Sequence, residues 1–332
     1  MNLTFLGSGS FGTALAVIFS QYNFNIKMYD RNVDVVSGIN CDRKNIKYLK
    51  NVIIPEKVIA TNDIDEAVYD SDIIFLSVPS QAIREISKKI HNKLKQNAII
   101  VCLSKGIELS TYKRLSEVLE EEFPNNSIVV LSGPSHAEEV AAKQPTALVA
   151  TSKNMDKAIL IRDTLSNDVL RIYTNPDIVG VEIGGAMKNI IALAIGIING
   201  MGYGDNSSAA IITRSLNDLV KMGIAMGGHL ETFFGLTGIG DLIVTCLSNH
   251  SRNRKCGLLI GQGMKLNEAI EKIGMVVEGV TACKIFYNIA KEKNIEVPII
   301  ESIYEVLYNN KELHYIETAL MSRNKKDENL NI

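Results

Sequence analysis

The sequence predicts an α/β domain built on a doubly wound parallel sheet, followed by an all-α domain. Three observations predict it. The first half alternates short apolar runs rich in β-branched residues with amphipathic stretches. Strand-like runs nearly vanish after Tyr173-Thr174-Asn175-Pro176. The 332 residues leave room for two domains of the usual size, about 100–200 residues each.

Strands are expected at residues 3–6, 25–29, 73–78, 99–103, 128–131 and 147–151, with helices over 11–21, 81–94, 112–122 and 156–165. Continuous apolar strands separated by amphipathic helices indicate a parallel sheet covered on both faces, which is the doubly wound pattern. Beyond it, 209–226, 252–261, 278–291 and 298–308 read as helices. The domains are therefore expected at 1–176 and 177–323, with the polar residues 324–332 as a frayed tail. The most apolar run, 190–198, is far shorter than the roughly 20 residues of a membrane span. It reads as a buried core helix, and no membrane span is expected.

Lys and Arg number 35 and Asp and Glu 37, a net charge of −2. That balance argues against nucleic acid or an anionic membrane surface as the main partner. It leaves room for a small anionic substrate held by a local basic cluster. Cys41, Cys102, Cys246, Cys256 and Cys283 are odd in number, scattered and without a C-x-x-C pair. A reduced intracellular protein with neither a disulfide framework nor a zinc site is expected. The histidines form no H-x-x-x-H pair, so no metal is implied. The chain opens on the strand-like Asn2-Leu3-Thr4-Phe5-Leu6 without a basic n-region, so no signal peptide is expected.

Gly7-Ser8-Gly9-Ser10-Phe11-Gly12 is a G-x-G-x-x-G that follows the first strand and opens a helix. That context turns a weak pattern into a Rossmann-like dinucleotide fingerprint. Gly7 would make the tight turn, Gly9 would let backbone approach a pyrophosphate, and Gly12 would let helix and strand pack closely. The helix N-terminus would offer N–H groups and positive potential to the phosphates. The plainer alternative is an ordinary glycine-rich turn. At the end of the second strand, Asp30 lies 18 residues past Gly12, where an acid bonds the ribose 2′-OH of NAD, while the adjacent Arg31 suits the 2′-phosphate of NADP. The two point in opposite directions, so NAD and NADP are both expected, with Asp30→Ala favouring NADPH; a solvated charged turn is the alternative. Two more strand ends, at Ser77-Val78-Pro79-Ser80 and Ser104-Lys105-Gly106, fall where such folds bind ligands. Lys105 there is either a loop charge or a crevice residue.

Gly184-Gly185-Ala186-Met187-Lys188-Asn189 leads into the apolar run. A lysine at the start of a buried helix needs a reason, because an unpaired buried charge is unfavourable. It either snorkels to solvent or serves as the proton donor and acceptor that a ketone–alcohol dehydrogenase needs at the carbonyl oxygen. The two glycines would leave room for a ligand. Partial burial, or a second cation such as Lys105, would lower the Lys188 pKa. Asp241, in Gly238-Ile239-Gly240-Asp241, is either a helix N-cap or the group that orients Lys188 and holds a substrate hydroxyl. Ser251 is a natural N-cap for a helix whose first turn carries Arg252, Arg254 and Lys255. Basic residues there oppose the helix dipole, and an anion docked at the N-terminus and clamped by an arginine would relieve the misfit. The alternative is a solvated basic face. Ser135-His136-Ala137-Glu138 reads as a capping box after a strand end. Gly133 and Ser135 could also line a crevice, and His136 is a helix-start residue rather than a catalytic base.

Together these segments resemble the bacterial type of the NAD(P)-dependent glycerol-3-phosphate dehydrogenase family. The resemblance runs from Leu3 to about Leu307 and is carried by GSGSFGTALA, VPS, SKGIE, SGPSHAEEVA, YTNPDIVGVEIGGAMKNIIALA, GLTGIGDLIVTC, SRNRKCG and VVEGV. It implies reduction of dihydroxyacetone phosphate to sn-glycerol 3-phosphate, supplying glycerophospholipid synthesis, with Lys188 as proton donor and acceptor. It implies substrate contacts at Lys105, Gly133, Ser135, Lys188, Asp241, Ser251, Arg252 and Asn253. It implies dinucleotide contacts at Ser10, Phe11, Arg31, Lys105, Ala137, Arg252, Val276 and Glu278. The assembly is left open, with a homodimer among the candidates. β-Hydroxyacid and phosphogluconate-type dehydrogenases, which share the two-domain plan, carry an asparagine four residues after the lysine. Here that position is Ala192 and the asparagine is Asn189, which disfavours them. A dinucleotide-sensing regulator would not need Lys188, Asp241 and Arg252 together.

Overall fold

The computed structural model describes residues 1–321. The expected frayed tail, 324–332, lies outside the described residues, as do the last two positions of the expected second domain. The chain forms two compact units. One comprises Met1–Glu108 and Lys113–Ile178, the other Leu109–Tyr112 and the chain from Val179 onward.

The first unit carries ten strands: β1 (Asn2–Leu6), β2 (Asn25–Tyr29), β3 (Lys44–Asn45), β4 (Leu49–Ile53), β5 (Val58–Thr61), β6 (Ile73–Leu76), β7 (Ile99–Cys102), β8 (Ser127–Ser132), β9 (Thr146–Thr151) and β10 (Leu170–Thr174). Its helices are α1 (Ser10–Phe19), α2 (Val33–Asn40), α3 (Ile64–Val68), α4 (Ile83–Ile90), α5 (Leu115–Glu122), α6 (Ala137–Ala141) and α7 (Met155–Leu165). Eight strands make one sheet in the order β10-β9-β8-β7-β6-β1-β2-β5, and β3 and β4 form a separate hairpin. The chain winds outward from β1 through β2 to β5, then returns to place β6 on the other side of β1. The strand order thus reverses at β1, which is where ligands bind in open sheets of this kind.

Strands β1, β6 and β7 are buried along almost their whole length, as a sheet covered on both faces requires. Phe5 and Phe75 are register partners on β1 and β6, and their rings stack at 4.5 Å with Phe19 of α1 alongside. The doubly wound α/β class is as expected, with one departure: β8 and β9 pair antiparallel. The connection between them contains only the five-residue α6 and turns back at Lys143, whose φ is +60°. A parallel return needs a longer crossover.

The second unit is helical, again as expected: α8 (Ile178–Gly200), α9 (Asp205–Ala225), α10 (Leu230–Phe233), a π-turn (Leu236–Gly240), α11 (Asp241–Leu247), α12 (Arg252–Gly261), α13 (Leu266–Ile273), α14 (Glu278–Lys293), α15 (Pro298–Tyr308) and α16 (His314–Met321). The core helix is longer than the apolar run suggested. It extends back through Lys188 and the paired glycines to 23 residues, long and apolar enough to cross a membrane, yet it is buried inside the protein except near its ends. A second apolar stretch, Leu230–Leu247, is broken by the π-turn and only 44% buried.

α8 and α12 cross at backbone contact. A Cβ on Gly196 would stand 2.1 Å from the Arg254 carbonyl, one on Gly257 2.1 Å from the Leu193 carbonyl, and one on Gly261 2.1 Å from the Ile197 carbonyl. Only glycine at these places allows the two helices to sit this close.

Candidate functional site

In the sheet unit, β1 ends in the glycine-rich turn. Gly7 has φ +99°, a conformation that disfavours any side chain, and a Cβ on Gly12 would collide with the Ser77 side chain. Ser77 Oγ donates to the Gly7 carbonyl, so the strand end at 77–80 braces the turn, a role its sequence did not suggest. The first intrahelical bond of α1 runs from the Thr13 N–H to the Gly9 carbonyl at 2.9 Å. The N–H groups of Ser10, Phe11 and Gly12 precede it and have no intrahelical acceptor. With no acidic side chain in the first turn, this end of α1 suits a pyrophosphate. The turn fits the phosphates of a dinucleotide.

The β3–β4 hairpin supports the turn from outside, and sequence reasoning missed it. Asn45 Nδ2 donates to the Ser8 carbonyl at 2.7 Å and to Thr13 Oγ1 at 2.9 Å, and Ser10 Oγ donates to the Tyr48 carbonyl at 2.7 Å. Asp30, 8% exposed, accepts from the Ser8 N–H at 3.2 Å and from the Asn32 N–H at 2.9 Å. Arg31, directly after it, is exposed.

Lys105, Gly133 and Ser135 are brought together. The Gly133 carbonyl accepts from Lys105 Nζ at 2.8 Å and from Ser135 Oγ at 3.0 Å. The expected capping box is not formed. α6 starts one residue later, with His136 as N-cap and Ala137 as its first residue, because the Ser135 hydroxyl is turned back on Gly133 rather than toward the Glu138 N–H. Gly133 itself has φ +140°, which sends the chain away from the sheet before the helix can begin.

In the helical unit, Lys188 is buried and does not reach solvent. Its ammonium donates to Asp241 Oδ1 and, at 2.8 Å, to Thr245 Oγ1; the Thr245 hydroxyl donates to the Asp241 carbonyl at 2.6 Å. Asp241 is fully buried as the first residue of α11 rather than its N-cap, which is Gly240. Thr245 was missed, although four residues after Asp241 on a helix puts it on the same face. Gly184 does not leave space for a ligand: its Cβ position lies 2.5 Å from the Thr237 carbonyl, so it lets α8 pack against the π-turn that presents Asp241.

Next to Lys188, Asn189 Oδ1 accepts from Asn253 Nδ2 at 2.9 Å, and Asn253 Oδ1 accepts from the Gly279 N–H at 2.9 Å. Three helices meet at this point: α8, the start of α12, and the start of α14 opened by Glu278. Ser251 caps α12 as expected, accepting from the Arg254 N–H at 3.2 Å. Arg254 is drawn aside by Asn249 at 2.9 Å and Asn199 at 3.3 Å, which leaves Arg252 and Lys255 as the exposed cations of that first turn. Val276 is 46% exposed just before α14. The structure thus gathers Lys188, Asp241, Ser251, Asn253 and Glu278 around the α8–α12 crossing. In the other unit it gathers the glycine-rich turn, Asp30 and Arg31, and separately Lys105, Gly133, Ser135 and Ala137.

Two family models match the chain in tandem: the N-terminal model of NAD-dependent glycerol-3-phosphate dehydrogenase over residues 2–158 and its C-terminal model over 177–317. Among curated relatives, a glycerol-3-phosphate dehydrogenase (NAD(P)+) from Clostridium botulinum is 52% identical over 98% of this chain and 98% of its own. One from Clostridium tetani is 50% identical over 98% of this chain and 93% of its own. Among solved structures, a glycerol-3-phosphate dehydrogenase from Coxiella burnetii superposes with a TM-score of 0.93 at 33% identity, covering 97% of this chain and 99% of that one.

Proposed function

The chain belongs to the NAD-dependent glycerol-3-phosphate dehydrogenase family, and from that premise we propose how its residues interconvert dihydroxyacetone phosphate and sn-glycerol 3-phosphate with NAD or NADP. When bound, the nicotinamide supplies hydride in the reductive direction and takes it up in the oxidative one. Residues 1–176 form the dinucleotide domain and 177–323 the substrate domain. Gly7, Gly9, Ser10, Phe11 and Gly12 hold the pyrophosphate, Arg31 the adenosine end, and Lys105, Ala137, Arg252, Val276 and Glu278 the remaining dinucleotide contacts.

Lys188 carries the proton. Its ammonium gives a proton to the ketone oxygen during reduction, and the neutral amine takes one from the alcohol during oxidation. The Asp241 carboxylate and the Thr245 hydroxyl fix Nζ in position. Ser251, Arg252 and Asn253, together with Lys105, Gly133 and Ser135, bind the substrate, with Arg252 facing its phosphate. The observation that carries the reading is the buried Lys188–Asp241–Thr245 cluster beside the Asn189–Asn253 bond. The enzyme works in the cytoplasm and supplies sn-glycerol 3-phosphate to glycerophospholipid synthesis.

The test is turnover of dihydroxyacetone phosphate with NADH and with NADPH, with unphosphorylated dihydroxyacetone as control. Oxidation of either cofactor that depends on the phosphate is expected. Equal rates with both ketones, or none with either, would defeat the proposal.

A further inference from the structure

Asp30 stands where an acid in a dinucleotide fold reads the ribose 2′-OH and repels a 2′-phosphate. Its surroundings assign it other work. Both carboxylate oxygens accept backbone N–H groups, one from Ser8 at 3.2 Å and one from Asn32 at 2.9 Å. The side chain is buried beneath the turn rather than presented at the surface. Ser8 is itself fully buried between Gly7 and Gly9, and the two peptide units that meet at its Cα are each held. Asp30 holds the N–H, while Asn45 at 2.7 Å and Thr13 at 3.1 Å hold the carbonyl. Rotation of either unit would misdirect the next N–H groups, those at the start of α1.

Arg31 is differently placed. It is exposed, and its charge is felt on α4. The Glu85 carboxyl is held below its usual range first by Lys89, bound at 2.7 Å, and more weakly by Arg31. Lys89 is neutralised by its pairing with Glu85, which leaves Arg31 as an exposed guanidinium just past the strand end, a group suited to a phosphate.

We infer that Asp30 is a positioning residue for the phosphate-binding turn, acting through the Ser8 N–H, and that it leaves the choice between NAD and NADP to Arg31. The inference rests on reading Gly7–Gly12 as the dinucleotide site. An acid at position 30 is then compatible with NADP use, and removing its charge does not improve NADPH over NADH.

The experiment uses the full chain carrying Asp30→Asn. Asparagine keeps the shape but turns an NH₂ toward one of the two N–H donors. Dissociation constants for NADH and NADPH are measured by fluorescence, and for ADP and adenosine by ligand-observed NMR. The expected result is a roughly tenfold weakening of both dinucleotides by the same factor, the scale of one hydrogen bond to a charged group. ADP should weaken alike and adenosine not at all, because only the diphosphate uses the turn. A shift of more than threefold in the NADPH-to-NADH ratio, or a loss of adenosine binding, would mean Asp30 reads the ribose and would overturn the inference. Arg31→Gln should weaken NADPH at least tenfold and leave NADH within twofold; equal effects would overturn the second half. Should Asp30→Asn fail to fold, Asn45→Ala releases the adjoining Ser8–Gly9 peptide and must reproduce the pattern. A parent protein that binds neither dinucleotide would instead sink the reading of the site on which the inference rests.

Discussion

Lys188 and Asp241, 53 positions apart in the chain, form a hydrogen-bonded ion pair in which both side chains are almost wholly withdrawn from water. Removing one partner of such a pair leaves the other charged and uncompensated, which destabilises by about 3–5 kcal/mol. Lys188→Ala therefore strands Asp241, and the variant should melt earlier. Its chemistry should fail by far more: turnover is expected to fall roughly 10²–10⁴-fold while dinucleotide binding persists. Fluorescence titration with NADH and steady-state rates measure the two separately. Turnover within a few-fold of the parent would make Lys188 purely structural.

Arg252 is exposed at the start of α12, a helix with no acid in its first turn. A phosphate there satisfies both the dipole and the guanidinium. Arg252→Ala is expected to lower kcat/KM for dihydroxyacetone phosphate by roughly 10–150-fold, and Arg252→Lys to restore only part, since an ammonium lacks the planar fork. Unphosphorylated dihydroxyacetone should be nearly indifferent to both changes. NADH affinity must be followed alongside, because the same arginine is assigned a dinucleotide contact. Equal harm to both ketones would remove Arg252 as the phosphate anchor.

Gly257→Ala tests the helix crossing. Its methyl would meet backbone atoms at 2.1 Å and 2.9 Å, which cannot yield as a side chain could. A loss of more than about 2 kcal/mol is expected from overpacking. Gly204→Ala, whose Cβ would meet nothing within 4 Å, is the control and should stay within about 1 kcal/mol. Urea titrations of the two variants decide it, and matching midpoints would show that the helices can part freely.

The thiols give a chemical check on packing. Cys41 is exposed, whereas Cys102, Cys246, Cys256 and Cys283 are buried. Burial pushes the Cys246 thiol up to about 12 and the Cys256 thiol up to about 11, and raises Cys283 as well. At pH 8 the reactive thiolate is then a tiny fraction of each. A disulfide reagent should titrate one thiol in the native protein and five after unfolding. Two or more reacting promptly in the native state would contradict the packing around β7, α11, α12 or α14.

The class of the fold was legible because periodicity survives burial: α12 and α15 have the bounds their patterns predicted. β5 and β10 were not, because each is a short strand at a sheet edge with only half its residues inside. The β3–β4 hairpin is largely polar, and its purpose, holding the Ser8 carbonyl and the Ser10 hydroxyl, leaves no trace in hydrophobic pattern. Among the candidate site residues, the Lys188–Asp241 contact agrees with the orienting role considered for Asp241. The meaning of Gly184 did not emerge, since a glycine that admits a ligand and one that admits a neighbouring carbonyl read alike. The Ser135 capping box failed because the backbone at Gly133 delays the helix, and tertiary geometry overrules a local motif.

The α8–α12 crossing also bears on how this chain can change over generations. Gly196, Gly200, Gly257 and Gly261 are mutually dependent: each would drive a Cβ into backbone of the opposing helix. No single replacement at any of them can be rescued by trimming a neighbour's side chain, because there is none to trim. In a saturation library scored for folding, these positions should be as intolerant as any in the protein, although none carries a reactive group. Lys188 and Ser251 sit on the two helices so joined. Substrate preference can therefore drift by exchanging the groups the scaffold displays, while the span between its two arms is inherited unchanged.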